Sequence, residues 1–244
     1  MWADARAAFS FLTILPLGYA EGRKPGWSFT WYPLVGLVIG AFLFLISEYS
    51  PFTDDITAFL TLLAWVMFTG GLHLDGFGDS CDGLLATVVP ERRLEIMKDP
   101  RAGSWAVIGL ILLLLGKWTL LPALPPALLI LPLVIGRWGM VITAYAFPYA
   151  RPSGMGGYFR DGLGVPQVVT STGIALLAVI LITGDITPTI IVFTTGGLTV
   201  FFVGKWASNR LGGGITGDVY GALCELTELL CLLTLSGWQQ WANG

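Results

Sequence analysis

The sequence predicts an all-α, polytopic integral membrane helical bundle of about seven transmembrane helices, with an N-terminal interfacial or re-entrant helix ahead of them. Three observations carry this prediction. Of 244 residues, 55% are hydrophobic and only 12% charged, and the mean hydropathy is +0.74; a soluble domain carries about 25% charged residues. Seven apolar runs, each about 17–22 residues long and therefore able to cross a bilayer, recur along the chain. The basic residues between those runs all fall on one side. The length suits a single membrane-embedded domain, 1–244, with little left for a soluble one. The lipid bilayer is thus one partner, no nucleic acid is expected, and an oligomer stays open.

The elements follow in order. Residues 1–20 have Arg6 before a short apolar stretch, but Asp4 stands where a signal peptide would be basic. A helix lying in the interface and stopping near Pro16 is expected instead. The membrane runs lie near 31–48, 55–74, 104–122, 126–147, 166–184, 187–204 and 217–236. Pro125-Pro126 and the stretch from Gly184 to Pro188 mark tight turns. Three cysteines, Cys81, Cys224 and Cys231, make no disulfide framework.

Orientation follows from the cations. Arg6, Arg23 and Lys24 precede the first run; Arg92, Arg93, Lys98 and Arg101 follow the second. Arg151 and Arg160 follow the fourth, and Lys205 and Arg210 the sixth; only Lys117 and Arg137 lie inside a run. The opposite loops hold Asp54, Asp55 and Asp185 instead. The basic side is expected to be the cytoplasm, in the cell (inner) membrane, with the N-terminus there and the C-terminus outside.

The most informative stretch runs from His73 to Gly83. Asp75, Asp79 and Asp82 recur at i, i+4 and i+7, so on a helix they share one face. Like charges so placed repel unless a cation sits among them, and oxygen-only donors select Mg²⁺, Mn²⁺ or Ca²⁺ over zinc. Asp75 lies about 30 Å along the second run at 1.5 Å per residue, at the cytoplasmic surface. The helix either continues through Asp82 or breaks at Gly70-Gly71 or Gly76.

Three further regions carry charge. In 84–103, Leu84, Leu85, Leu94 and Met97 suit an amphipathic helix that turns Arg92, Arg93 and Lys98 toward headgroups. Lys98, Asp99 and Arg101 just before the third run resemble a site for metal and phosphate together. Loop 148–165 combines glycines with Arg151, Arg160 and Asp161, which suits a phosphate clamp or a flexible connector equally. In the last run Asp218 stands at the mouth, Glu225 about 10 Å and Glu228 about 15 Å below it. Arg137 is at the depth of Glu228, so either the two pair or Glu228 has a catalytic role.

These motifs resemble the cobalamin synthase family, the adenosylcobinamide-GDP ribazoletransferases. Gly71-Leu-His73-Leu-Asp75-Gly76, with Asp79 and Asp82-Gly83, is similar to the family's GxLHLDGxxDxxDG. The run from Arg93 through Lys98-Asp99 to Arg101 and Gly103 resembles its RLEIMKDSRxG. Arg137, Tyr149-Ala150-Arg151 and Gly162-Leu-Gly164 look like its middle elements, and Gly213-Gly214-Ile-Thr216-Gly217-Asp218 like its GGxTGD. Thr13-Ile14-Leu15-Pro16 departs from the usual T-R-L-P, and Pro100 and Ala106 replace Ser and Gly. The resemblance implies a Mg²⁺-dependent transferase of substituted phosphate groups in cobalamin (vitamin B12) biosynthesis. It would join adenosylcobinamide-GDP to α-ribazole or its 5′-phosphate and release GMP. The chemistry is that of CDP-alcohol phosphotransferases, whose DxxDGxxAR is matched by Asp79, Asp82, Gly83 and Ala86, with Thr87 in place of arginine.

The roles expected on this reading are as follows. Asp75, Asp79, Asp82, Asp99 and Asp218 hold Mg²⁺, and Asp82 or Asp218 takes the hydroxyl proton. Lys98, Arg101, Arg151 and Arg160 neutralise phosphate, with Lys98 also placed at the chemistry, and His73 orients a carboxylate. The alternative is a divalent-cation or proton-coupled transporter, its path lined by Glu225, Glu228 and Arg137.

Overall fold

The computed structural model describes residues 1–18, 22–151 and 158–243. Its helices are α1 (Trp2–Leu12), α2 (Tyr32–Glu48), α3 (Asp54–Thr69), α4 (Leu72–Leu85), α5 (Pro90–Ile96), α6 (Ser104–Leu120), α7 (Ile130–Ala146), α8 (Val165–Thr183), α9 (Ile186–Arg210) and α10 (Gly217–Asn243). A 3₁₀ stretch, Pro25–Trp31, leads into α2. Among the described residues, pairing between extended segments is limited to one parallel bridge, Tyr149 to Ile215. Six helical segments are long and apolar enough to cross a membrane, and α3 with α4 passes that test only as a bent pair. The all-α membrane bundle expected from composition is therefore what the chain forms.

Helix α7 is the hub. Leu131, Leu133, Val134 and Ile135 are all fully buried, because α2, α8, α9 and α10 surround them. The α2 approach is close: a Cβ on Gly36 would lie 2.3 Å from the Leu133 carbonyl oxygen, so only glycine lets the backbones meet there. Helices α6 and α8 sit at the rim and leave leucines such as Leu112 and Leu181 exposed, the lipid-facing side of an apolar helix.

The second expected run, 55–74, is not one straight helix. Gly70 and Gly71 both take left-handed φ, 59° and 69°, which a side chain resists. The Gly70 N–H donates to Met67 O and the Gly71 N–H to Val66 O, closing α3. Helix α4 then leaves at 89° to α3 and does not prolong its crossing. Of the three alternatives the break at Gly70-Gly71 is the one realised. The sixth run is longer than expected: α9 carries Lys205 and Arg210 inside its last turns rather than in a loop.

Helix α4 packs between α6 and α10. A Cβ on Gly76 would stand 2.8 Å from Asp218 O, and one on Gly221 3.1 Å from His73 O. These two glycines let the acidic helix cross the mouth of α10 almost backbone to backbone. Gly221→Val should therefore force the helices apart and cost about 1–3 kcal/mol, as overpacking does; thermal unfolding in detergent reads the loss.

Deep in the bundle four charges meet. Lys117 Nζ on α6 lies 2.6 Å from Glu225 Oε2 and 2.5 Å from Glu228 Oε2, and Arg137 on α7 donates to Glu228 Oε1. All four side chains are buried, and Lys117 Nζ also sits 4.1 Å over the Trp65 ring. The Arg137–Glu228 pair expected from helical depth is present, and Lys117 joins it. Two cations against two carboxylates balance, which is what an intramembrane charge requires. Glu225, Glu228 and Arg137 thus form a closed, paired cluster, which removes the main support for the transporter alternative.

Candidate active site

The site is built where α4 crosses α10. The C-terminal end of its acidic helix is held by arginines from two neighbouring helices, α5 and α9. Arg93 Nη1 donates to the carbonyls of Gly83 (3.0 Å) and Leu84 (2.9 Å), and Arg210 reaches Leu84 O (2.7 Å) and Ala86 O (3.1 Å). Two guanidinium groups thus satisfy the C-terminal carbonyls of α4, where the helix dipole is negative. Arg93 is buried, contrary to its expected place among headgroups, while Arg92 does remain exposed and pairs with Glu95 at 2.6 Å.

Asp82 has a structural task beyond the ligand role expected of it. Its Oδ2 accepts the Gly103 N–H at 2.6 Å and its Oδ1 the Ala106 N–H at 3.0 Å. A carboxylate from α4 therefore caps α6, satisfying donors that the helix itself cannot. Gly103 has no room for a side chain, since its Cβ would stand 2.6 Å from Asp82 Oδ1. Asp82 thus positions the third crossing, with one N–H bonded to each of its oxygens.

Asp99 and Arg101 also differ from expectation. Arg101 Nε and Nη2 donate to the two Asp99 oxygens at 2.9 and 2.7 Å, and Arg101 is largely exposed. The guanidinium holds the Asp99 carboxyl down at about 2. The two form a local pair outside the cavity, so neither joins the other carboxylates. Arg160 lines a separate surface hollow with Tyr145 and Asp161. The glycine-rich centre of its loop, 152–157, lies outside the described residues.

The residues that do converge are His73, Asp75, Lys98, Arg151 and Asp218. They line one cavity of about 380 Å³, closed on the remaining sides by Phe11, Tyr32, Tyr149, Phe159 and Tyr220. Arg151 reaches it because Ala150 N–H donates to Ile215 O (2.9 Å) and Ile215 N–H to Pro148 O (3.0 Å), zipping the two loops together. Its Nη2 then lies 3.0 Å from Asp218 Oδ2. Sequence reasoning missed the aromatic walls, which carry no motif of their own.

Two side chains in the cavity wall have polar atoms left without a partner. His73 is buried with neither ring nitrogen bonded, and the Tyr220 hydroxyl is buried and unbonded as well. Burial, then the charges of Arg137 and Lys117, push His73 well below the usual imidazole range, so the ring is neutral. Asp79, one turn beyond Asp75, is half-buried; burial and then the carboxylates of Asp218, Asp75 and Asp82 push it up to about 7. Among the described residues no three carboxylate, histidine or cysteine side chains stand at metal-ligand spacing. Asp75 and Asp79 nevertheless offer hard oxygen donors whose repulsion a cation would relieve, and one or two carboxylates completed by substrate phosphates are the usual Mg²⁺ set.

The profile of the cobalamin-5-phosphate synthase family matches residues 4–236. The chain belongs to that family. It is 38% identical to an adenosylcobinamide-GDP ribazoletransferase of Desulfitobacterium hafniense over 93% of both chains. It is 35% identical to one of Roseiflexus sp., covering 96% of this chain and 90% of the relative. A third, of Stutzerimonas stutzeri, is 37% identical over 94% and 96% respectively. No solved structure matches. The acidic and glycine stretches that carry the resemblance fall on α4 and the mouth of α10, the two elements whose crossing makes the cavity.

Proposed function

We propose that this chain transfers the cobinamide phosphate moiety of adenosylcobinamide-GDP to α-ribazole or its 5′-phosphate, releasing GMP, with Mg²⁺, at the cytoplasmic face of the cell membrane. The observation that carries the reading is the convergence of Asp75, Asp218, Arg151 and Lys98 on one cavity in a chain of this family. Carboxylates able to take a cation and side chains able to neutralise phosphate line the same cavity, which supports this reading. The orientation rests on the one-sided loop arginines and lysines.

Asp75 and Asp79 would hold Mg²⁺, which, when bound, stabilises negative charge on the diphosphate and on the departing GMP. Arg151 and Lys98 neutralise the phosphate oxygens. The acceptor hydroxyl attacks the phosphorus that carries cobinamide, the bond to the bridging oxygen breaks, and the hydroxyl proton passes to the Asp218 carboxylate. His73 and Tyr220, unbonded in the walls, hydrogen-bond the bound substrates.

The test is GMP release by the purified chain in lipid. Release is expected only when adenosylcobinamide-GDP, the ribazole acceptor and Mg²⁺ are all present; release without acceptor would make the chain a hydrolase instead. A pH dependence follows from Asp79. Below about 7 its carboxyl is protonated and competes with the cation; above, it is ionised. The Mg²⁺ concentration for half-maximal rate should therefore fall as pH rises from 6 to 8, and a flat dependence would remove Asp79 from the cation site.

A further inference from the structure

A groove of about 490 Å³ opens between α1, the turn that follows it and the start of α2. Trp2, Arg6 and Phe9 of α1 form one side, and Leu15, Leu17 and Leu34 face them. Helix α1 has 11 residues. At 1.5 Å per residue that is about half the thickness of a bilayer's hydrocarbon core, so α1 lies along the membrane surface instead of crossing it. Among the described residues Arg6 is the one charged side chain on the groove's walls. Its Nε is buried without a hydrogen-bond partner. The one acid of α1, Asp4, is already taken: Arg23 donates to its two oxygens at 2.7 and 2.5 Å.

An apolar groove that ends on an unpaired guanidinium at a membrane surface fits an amphiphile, with hydrocarbon for the leucines and an anion for the arginine. A headgroup that carries its own ammonium partly neutralises its phosphate, whereas a net negative one leaves the whole charge for Arg6. We infer that the groove binds one anionic phospholipid, its phosphate on Arg6 and an acyl chain along Phe9, Leu17 and Leu34. The site matters because α1 has two working faces. Trp2, Arg6 and Phe9 recur at i, i+4 and i+7, while Asp4, Ala7 and Phe11 recur at i, i+3 and i+7 on the opposite side. Phe11 is a wall of the catalytic cavity and meets Phe159 there at 4.8 Å between ring centroids. A lipid seated on one face therefore steadies the helix that supplies a cavity wall from the other.

Native mass spectrometry of the full chain, released from nanodiscs of mixed phosphatidylcholine and phosphatidylglycerol, tests the site without any turnover. The wild type should keep one phosphatidylglycerol. Arg6→Gln should keep about fivefold less or lower, the worth of roughly one cation at a lipid surface, and Arg6→Lys should stay within about twofold of the wild type. Leu17→Asp changes an exposed side chain, sets a carboxylate in the same groove and should also empty it; it decides should Arg6→Gln fail to fold. Equal phosphatidylglycerol on the wild type and both variants would overturn the inference. So would retention of phosphatidylcholine as readily as phosphatidylglycerol, or a lipid-free dimer that hides the groove. The hold on α1 is read separately: GMP release should rise and saturate with the phosphatidylglycerol fraction for the wild type, and stay flat for Arg6→Gln. A wild-type rate indifferent to that fraction would overturn the hold on α1. Absence of any GMP release would sink the transfer proposed above, and the mass spectra would still decide the lipid site.

Discussion

Glu228→Met should destabilise the bundle by about 3–5 kcal/mol, the cost of stranding buried partners of an ion cluster. Glu228 accepts from both Lys117 and Arg137, and no other single residue of the four touches both cations. Arg137→Met should also destabilise, leaving two carboxylates against one lysine. The double variant Arg137→Met/Glu228→Met keeps Lys117 with Glu225, a balanced pair, and should lose less than either single change. Thermal unfolding in detergent measures all three. Additive losses would mean that the cluster does not act as a unit.

Asp218→Asn should reduce GMP release about 10²–10⁴-fold, the usual worth of a positioned general base, while the protein inserts and melts as the wild type does. The substitution keeps volume and keeps an oxygen for Arg151, which lies 3.0 Å from the carboxylate. A variant that retains more than about a tenth of the rate, a loss under about 1.4 kcal/mol, would take Asp218 out of the proton path.

Much of this was legible before any coordinates. Hydropathy and the one-sided cations predict the bundle, and helical rise brings Arg137 and Glu228 to one depth. Depth says nothing of azimuth, however, so Lys117 could not be assigned to the same cluster, although it turns inward to Glu225. The three aspartates do share a helix, but one face of a helix meets different neighbours along its length. Asp75 meets the cavity, whereas Asp82, two turns on, meets the start of α6 and caps its N–H groups. Arg93 reads as one of a basic run on an interfacial helix; only the position of α4's C-terminus shows that its carbonyls need two arginines. The break at Gly70-Gly71 was one of three alternatives, beside an unbroken helix and a break at Gly76, and packing of α4 across α10 chose among them.

The central claim is that Asp75 and Asp79, where α4 crosses α10, hold the cation that grips the diphosphate. Electron paramagnetic resonance of Mn²⁺, standing in for Mg²⁺, with GMP and the purified chain tests it directly. The expected result is bound Mn²⁺ on the wild type and on Asp218→Asn, and its loss in Asp75→Asn/Asp79→Asn with unfolding temperature preserved. Equal Mn²⁺ binding by the wild type and that double variant would contradict it.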